Sequence, residues 1–512
     1  MNAPIPHLKQ ENGIARLYVD GKPFIALGGE IHNSSSSSLQ YMDEKVWPYL
    51  RGLHLNTVIA PVFWELIEPE AGAFDFELVD GLLARAREEG VRLVLLWFGL
   101  WKNGLSSYAP AWVKKDPHTY FRARYPGGIA SETISPLCDA AVAADARAFE
   151  RLMAHLRDVD GERHTVIMIQ VENEIGFLGA PRDFSDVAER RFAEPVPEPL
   201  ANAFGVAGAW SEAFGEDAEE TFMAYHYALA VERIAGAGAK AYPLPMMVNA
   251  WLEQFPGRPG TYPSGGPIAK MMAVWKIGAP TIAVYAPDIY LPNFKEICEE
   301  YTKLGNPLFI PEARRDLVSA ANVFYALGKH DALGFAPFGI EDFLAGHPDE
   351  ADASLLSALN IEQSGFVLNG TGPYLAKSYK LLSNMLGVIQ RYNGTGRMTG
   401  FVQGREKGCN LSFTKYDVKI TYRAQEEGRP VAGGIVIELG EDEFLFAGYG
   451  YAADVLPKRG VRGQAGYARI EEGRFEGDVW RRGRVLNGDE GAYGIKLGKD
   501  PELLRVEVYR YE

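Results

Sequence analysis

Eight short apolar runs alternate with amphipathic stretches along most of this chain, and that alternation narrows the possible folds more than any other feature. The runs lie at 24–29, 55–62, 92–98, 165–172, 245–250, 281–286, 307–311 and 333–338. Between them, 77–90, 140–158, 219–237, 292–304 and 316–329 repeat their apolar residues at helical spacing. Strands alternating with helices in this number predict an α/β fold, a (β/α)8 TIM barrel. A doubly wound open sheet is the alternative, but it would show a Gly-rich first turn, and no GxGxxG follows the first run. Ahead of the barrel, 16–24 reads as a hairpin turning on Asp20-Gly21. Residues 376–392 read as a helix. After 398 the pattern changes to alternating or β-branched runs at 418–422, 434–439, 443–447 and 504–509, which predict an all-β, sandwich-like unit. The expected organisation is therefore a barrel with its hairpin over 1–375, a connecting helix over 376–397 and a β-sandwich-like domain over 398–512.

Two of the eight runs end on a glutamate. Ile-Gln-Val-Glu-Asn-Glu at 169–174 closes the fourth, and Pro-Leu-Phe-Ile-Pro-Glu at 307–312 closes the seventh. A buried apolar strand has no packing reason to end on a carboxylate. In a (β/α)8 barrel the C-terminal strand ends form the active face, so Glu174 and Glu312 fall on one face from different strands. Paired carboxyls are the equipment of glycoside hydrolysis: one attacks as nucleophile while the other serves as acid and then base, about 5–5.5 Å away in a retaining enzyme. The acid needs a raised pKa, and the nucleophile needs cationic or donating neighbours, for which Arg314 and Arg315 are placed in sequence. Asn173 can donate to a sugar hydroxyl. His32 ends the first strand on the same face. Glu172, two residues before Glu174, is expected to share its face and to raise its pKa, or else to pair with a base below the site. The insertions 177–218 and 252–268 follow C-terminal strand ends and are expected to shape access to the pocket.

Composition excludes other classes. Formal net charge is −15, which argues against non-specific binding of nucleic acid or anionic membranes but suits a neutral ligand such as a sugar. Eight of the nine tryptophans precede residue 280, as a sugar-stacking cleft or a core would require. Cys138, Cys298 and Cys409 are too sparse for a disulfide framework, and neither they nor the histidines have metal-ligand spacing, so no metal and no other cofactor is expected. With no membrane span or leader in view, the chain reads as cytoplasmic as it stands, or as secreted or periplasmic if a signal peptide has been removed.

A longer string of motifs carries a resemblance. The hairpin, Gly29-Glu30-Ile31-His32, Gly52-Leu53-His54-Leu55-Asn56-Thr57-Val58, Glu68-Pro69-Glu70-Ala71-Gly72-Ala73-Phe74-Asp75-Phe76 and Ile169-Gln170-Val171-Glu172-Asn173-Glu174 follow one another. Over about residues 15–345 the chain resembles retaining β-galactosidases of glycoside hydrolase clan A, family 35 in particular, with some family 42 character. The resemblance implies Glu174 as acid/base, Glu312 as nucleophile, and Tyr290, or less favourably Tyr285, as the tyrosine beside the nucleophile. It departs from family 35 in two places. The Cys-Ala-Glu-Trp-like segment after strand three is replaced by Trp97-Phe98-Gly99-Leu100-Trp101-Lys102-Asn103-Gly104. After strand two Phe63-Trp64-Glu65 stands where a tyrosine and an asparagine are usual. Glu65, Trp64, Trp101 and Asn103 are accordingly the candidate replacement sugar contacts.

The resulting expectation is a retaining exo-β-glycosidase, a β-galactosidase first, acting on a carbohydrate substrate. The alternatives are a clan A enzyme for another β-linked glycan (glucan, mannan or arabinoside) and a barrel that binds carbohydrate without catalysis. A Schiff-base aldolase is disfavoured because no run ends on a lysine. The C-terminal unit, with Trp480, Tyr449 and Tyr451, could bind carbohydrate or join copies into a homo-oligomer.

Overall fold

The computed structural model describes residues 4–345, 363–491 and 494–512, so the part of the expected 1–375 unit at 346–362 lies outside the described residues. All eight apolar runs are parallel strands: β4 (Ala26–Glu30), β5 (Thr57–Phe63), β6 (Arg92–Lys102), β9 (Val166–Asn173), β10 (Met246–Trp251), β11 (Val284–Asp288), β12 (Phe309–Ala313) and β13 (Gly334–Pro337). They pair in the order β11-β10-β9-β6-β5-β4-β13-β12. The ring closes between the two ends, where Ile289 N donates to Glu312 O at 2.8 Å and Arg314 N to Ile289 O at 3.0 Å. These strands read as continuous apolar runs because both faces are covered, inside by one another and outside by helices.

Val94, Leu96, Phe98, Met247, Val284 and Phe309 fill the barrel interior. Leu17 and Val19 join this interior cluster. They come from a three-stranded antiparallel sheet of β1 (His7–Glu11), β2 (Ile14–Val19) and β3 (Lys22–Phe24). Val19 pairs with Lys22 across Asp20-Gly21, and both turn residues have positive φ (52° and 73°), the primed geometry such a turn demands. A short antiparallel pair, β7 (Arg122–Arg124) and β8 (Ala130–Ile134), is inserted between β6 and the helix Asp139–Asp160.

The two insertions are laced together just past Glu174, where Phe177 and Ser264 exchange both backbone hydrogen bonds at 2.9 Å. The helix Thr371–Tyr392 follows. It buries Leu375, Tyr379, Leu382, Met385 and Ile389 at helical spacing, and Tyr379 Oη donates to the Gly28 and Phe335 carbonyls at 2.8 and 2.9 Å, which ties it to β4 and β13.

The C-terminal strands are β14 (Met398–Val402), β15 (Gly408–Ser412), β16 (Tyr416–Tyr422), β17 (Gly433–Gly440), β18 (Glu443–Tyr449), β19 (Tyr451–Pro457), β20 (Gln464–Glu476), β21 (Val479–Leu486), β22 (Ile495–Leu497) and β23 (Glu502–Tyr511). They form antiparallel sheets of order β14-β17-β18-β23-β20-β21 and β15-β16-β19-β22. Val418, Ile420, Phe444, Phe446, Val455 and Val506 from the two sheets share one core. Tyr449 and Tyr451 are 3% and 0% exposed, so they pack rather than present a sugar-binding face. Among the described residues no helix is long and apolar enough to cross a membrane.

Candidate active site

The C-terminal strand ends bring four carboxyls and one lysine into a single buried cluster. Glu30 ends β4, Lys102 ends β6, Asp288 ends β11 and Glu312 sits in β12; Glu174 follows β9 directly. All five are less than one-tenth exposed. One oxygen from each of Glu174, Asp288 and Glu312 lies within 4.8 Å of one from each of the other two. Such a spacing would also let the three share a hard cation, although protein donors already engage Glu312 and Asp288.

Local backbone irregularities aim these groups. Glu172 and Glu174 have φ of +61° and +44°, a region that costs a non-glycine residue roughly 1–2 kcal/mol and so persists only where the surroundings impose it. Strand β12 loses register with β13 between Ile310 and Ala313, around Pro311, which has no N–H to give the ladder. Glu312 is the residue this irregularity turns into the cavity.

Donors converge on Glu312. Tyr290 Oη donates to Oε2 at 2.7 Å, while Asn173 Nδ2 and Asn249 Nδ2 approach Oε1 at 3.3 and 3.4 Å. Asn249 also donates to Asp288 Oδ2 at 2.7 Å and accepts from Glu174 N at 2.8 Å, so one amide joins three of the carboxyl-bearing residues. Lys102 Nζ donates to Asn173 Oδ1 at 2.7 Å, which fixes the amide with its Nδ2 toward the cavity. Tyr290 in turn is stacked on Phe366, ring centroids 4.2 Å apart.

The electrostatics separate the acids. Burial, then the charge of Glu312, pushes Glu174 up to about 7 against the opposing pull of Lys102. Burial and the same Glu312 charge push Glu30 and Asp288 well above the usual carboxylate range. Neither oxygen of Glu30 accepts a hydrogen bond, so no donor offsets the burial of its carboxyl, and the charges of Glu312 and Glu174 oppose its ionisation further.

The candidates read from sequence divide into two groups. Glu174, Glu312, Asn173 and Tyr290 come together as described, whereas Tyr285 turns away and donates to the Ala279 carbonyl. Asn103 adjoins the cluster: its N–H donates to Asn173 O at 3.2 Å, and its buried Oδ1 has no partner. His32 is near it, bonded through Nε2 to Asp342 Oδ2 at 2.6 Å, and Arg315 reaches the same oxygen at 2.6 Å. Burial pulls the His32 pKa down, but its bond to Asp342 and the charge of Glu341 outweigh this and hold it raised.

Three candidates are corrected. Trp64 is fully buried and donates to Glu68 Oε2 at 2.8 Å; Trp101 is fully buried and donates to the Ile134 carbonyl at 2.9 Å. Both pack outside the barrel wall with no face left for a ligand. Glu65 pairs with Lys114 at 3.3 Å from the short helix Trp64–Ile67. Two further expectations fail. Arg314 bonds Asp316 and Arg315 bonds Asp342, so the groups placed to donate to Glu312 are Tyr290 and the two asparagines. Glu172 faces away from Glu174, toward Asp145.

Glu30, Lys102, Asn249 and Asp288 were not singled out from sequence. Each stands at a strand end on the active face, and that position was the signal available. It was hidden for Lys102 because β6 continues four residues beyond the apolar run at 92–98.

Residues 16–234, which carry β4 to β9 and Glu174, match the family model for glycosyl hydrolases family 35. The likeness over that span is to the glycosyl hydrolases of family 35. Residues 375–498 match a second model, described as a domain of unknown function, DUF5597. A β-galactosidase of Xanthomonas manihotis is 31% identical over 164 residues, which cover 31% of this chain and 25% of that protein. Among solved structures, a β-galactosidase from Bacillus circulans sp. alkalophilus aligns at 15% identity and a TM-score of 0.49, covering 71% of this chain and 57% of that one. A family 39 glycoside hydrolase from Bacteroides cellulosilyticus WH2 aligns at 11% identity and a TM-score of 0.43, covering 94% and 80%.

Tyr290 offers a direct test of the donor set. A hydrogen bond to a charged group is worth about 1.5–3 kcal/mol, so Tyr290→Phe should lower turnover roughly 10- to 100-fold while leaving the thermal midpoint within a few degrees. Unchanged turnover would remove Tyr290 from the site.

Proposed function

We propose that this protein is a retaining exo-β-glycosidase that hydrolyses terminal β-galactosides by double displacement, with Glu312 as nucleophile and Glu174 as acid/base. One observation carries the reading: carboxyl oxygens of Glu174 and Glu312 approach within 4.8 Å. That closeness favours a retaining pair, since an inverting pair stands about 6.5–9.5 Å apart to admit a water between them.

In the first step a Glu312 oxygen bonds to the anomeric carbon as the bond to the glycosidic oxygen breaks. Glu174, held near 7, gives its proton to the departing oxygen. In the second step Glu174 takes a proton from water, the water oxygen bonds to the anomeric carbon and Glu312 leaves. Asn173, its amide oriented by Lys102, donates to the sugar hydroxyl next to the reacting carbon, a contact that strengthens as the oxocarbenium-like state forms. Asn103 Oδ1, buried and without a partner, accepts from another hydroxyl, and half-exposed His32 flanks the site. The mechanism calls for no metal or other cofactor.

The galactose preference rests on the family 35 match and the Xanthomonas relative. A second reading, a related β-glycosidase with another sugar preference, draws on the segment after strand three, which delivers Lys102 and Asn103 rather than a glutamate. Nitrophenyl β-galactoside, β-glucoside, β-mannoside and α-arabinoside assayed side by side separate the two. The β-galactoside should turn over fastest. Preference for another glycoside would move the assignment to that sugar, and no cleavage of any would end the exo-glycosidase reading.

A further inference from the structure

Strands β6 and β9 pair as far as Trp97 opposite Val171 and resume at Lys102 opposite Asn173, so residues 98 to 101 of one strand face Glu172 alone of the other. A bulge of this size takes backbone N–H groups out of the ladder in a wholly buried region, where each needs an acceptor. Two carboxyls supply them. Leu100 N donates to Asp145 Oδ2 at 2.9 Å and also approaches Glu172 Oε1 at 3.1 Å, and Trp101 N donates to Glu172 Oε2 at 2.7 Å. Trp97 Nε1 donates to Asp145 Oδ1 at 2.8 Å. Both carboxyls are 0% exposed, and Asp145 Oδ2 and Glu172 Oε1 converge on the same Leu100 N–H. They close over Gly99, where a Cβ would lie 2.4 Å from Asp145 Oδ2 and 2.5 Å from Glu172 Oε1. The nearest further charges are Glu68, which accepts from Trp64 and Gly72, and the half-exposed Arg147 paired with Glu68.

We propose that Asp145 and Glu172 share a single proton, carried on Glu172 Oε1 and donated to Asp145 Oδ2, and that this acid–carboxylate pair is a positioning device that sets the bulge and thereby aims Lys102 at Asn173. The assignment of atoms follows from the donors. Both Asp145 oxygens already accept N–H groups, so Asp145 is the acceptor-only, ionised partner. Glu172 Oε2 is taken by Trp101 at 2.7 Å, and Oε1 has only the longer approach of Leu100 N at 3.1 Å, which leaves Oε1 for the proton. Burial pushes both groups up, and the Asp145 charge is the next cause at Glu172. Only the last link, from Lys102 to turnover, rests on the glycosidase reading.

Glutamine at 172 would place an N–H where the shared proton sits and keep a carbonyl for Trp101 N. Asparagine at 145 would instead set an N–H against Trp97 Nε1 or Leu100 N. The pair therefore predicts an asymmetry between two equally conservative changes. Thermal unfolding of wild type, Glu172→Gln and Asp145→Asn, from about pH 5 to about pH 9, reads it without substrate. A carboxyl whose folded pKa is raised loses the fold stability as pH climbs from the ordinary carboxylate value toward the folded one. Glu172→Gln has no such proton to lose, so its midpoint should gain on wild type steadily with pH, while Asp145→Asn should melt lower at every pH. In turnover, Glu172→Gln should stay within about twofold of wild type, and Asp145→Asn should lose at least tenfold in kcat with KM changed less, as expected for a mis-set Lys102.

Equal cost from both changes, or a pH dependence of melting that Glu172→Gln leaves unaltered, would overturn the shared proton. The melting asymmetry together with normal kcat in Asp145→Asn would overturn the positioning role. The asymmetry in a protein that cleaves no glycoside would count against the proposed activity and leave the proton pair standing.

Discussion

Replacing Glu312 by glutamine should lower turnover on the order of 10⁴-fold or more on every glycoside the wild type cleaves. The amide is isosteric with the carboxylate but cannot attack the anomeric carbon. Tyr290, Asn173 and Asn249 remain in place around it, so substrate binding should survive the loss of chemistry. Pre-steady-state measurement on wild type should show a burst of released nitrophenol whenever breakdown of the glycosyl-enzyme is the slower step, and the variant should show none. Residual turnover above about one-hundredth of wild type, with binding intact, would mean that Glu312 is not the nucleophile.

The second large effect belongs to Glu174. Glu174→Gln should cost about 10²–10⁴-fold on substrates with an alkyl or sugar leaving group, which must be protonated as they depart. The loss should be smaller on nitrophenyl glycosides, whose phenolate leaves without help. Added azide should then accelerate the variant and yield a β-glycosyl azide, because an anionic nucleophile needs no general base in the second step. The pH profile gives an independent sign. Glu174 is raised to about 7, so its proton is present below that value and lost as pH rises through it. Wild-type kcat/KM should therefore fall on the alkaline side of about pH 7, and that limb should vanish in Glu174→Gln. An alkaline limb that persists in the variant would assign it to another group, with Glu30 and Asp288 the nearest raised carboxyls.

The site depends on an accumulation of acid that only a buried cavity can manage. Four carboxyls surround one lysine, and three of the four are pushed toward their neutral forms. In their neutral forms Glu30 and Asp288 add no charge to the repulsion around Glu312. The same burial keeps a proton on Glu174, the one that the proposed mechanism delivers to the leaving group.

How much of this was legible in the linear chain can be read from particular residues. Periodicity located all eight barrel strands to within a few residues, because a strand covered on both faces writes itself as an uninterrupted apolar run. It also placed four of the C-terminal strands, β16, β17, β18 and β23, and the turn at Asp20-Gly21, which are equally local patterns. Glu174 and Glu312 stood out because a carboxylate at the end of such a run has no packing reason to be there. The side chains that complete the cavity were harder to find. Counting alternate faces works only while a strand stays regular. At Glu172 the positive φ turns the side chain away from Glu174, and in β6 the bulge resets which residues point inward. Trp101, expected at the sugar, therefore packs outside the wall, and Lys102, beyond the end of the apolar run, enters the cavity. Trp64 packs outside the wall for a different reason, because it opens the short helix Trp64–Ile67 after β5.

Sequence by itself determined the barrel, the β-rich C-terminal part and the two glutamates, since each is a consequence of short-range pattern. Tertiary structure alone decided further partners of those glutamates, namely Glu30, Lys102, Asn249 and Asp288. They come from strands far apart in the chain, and their meeting depends on barrel closure and on two backbone irregularities that no periodic rule anticipates.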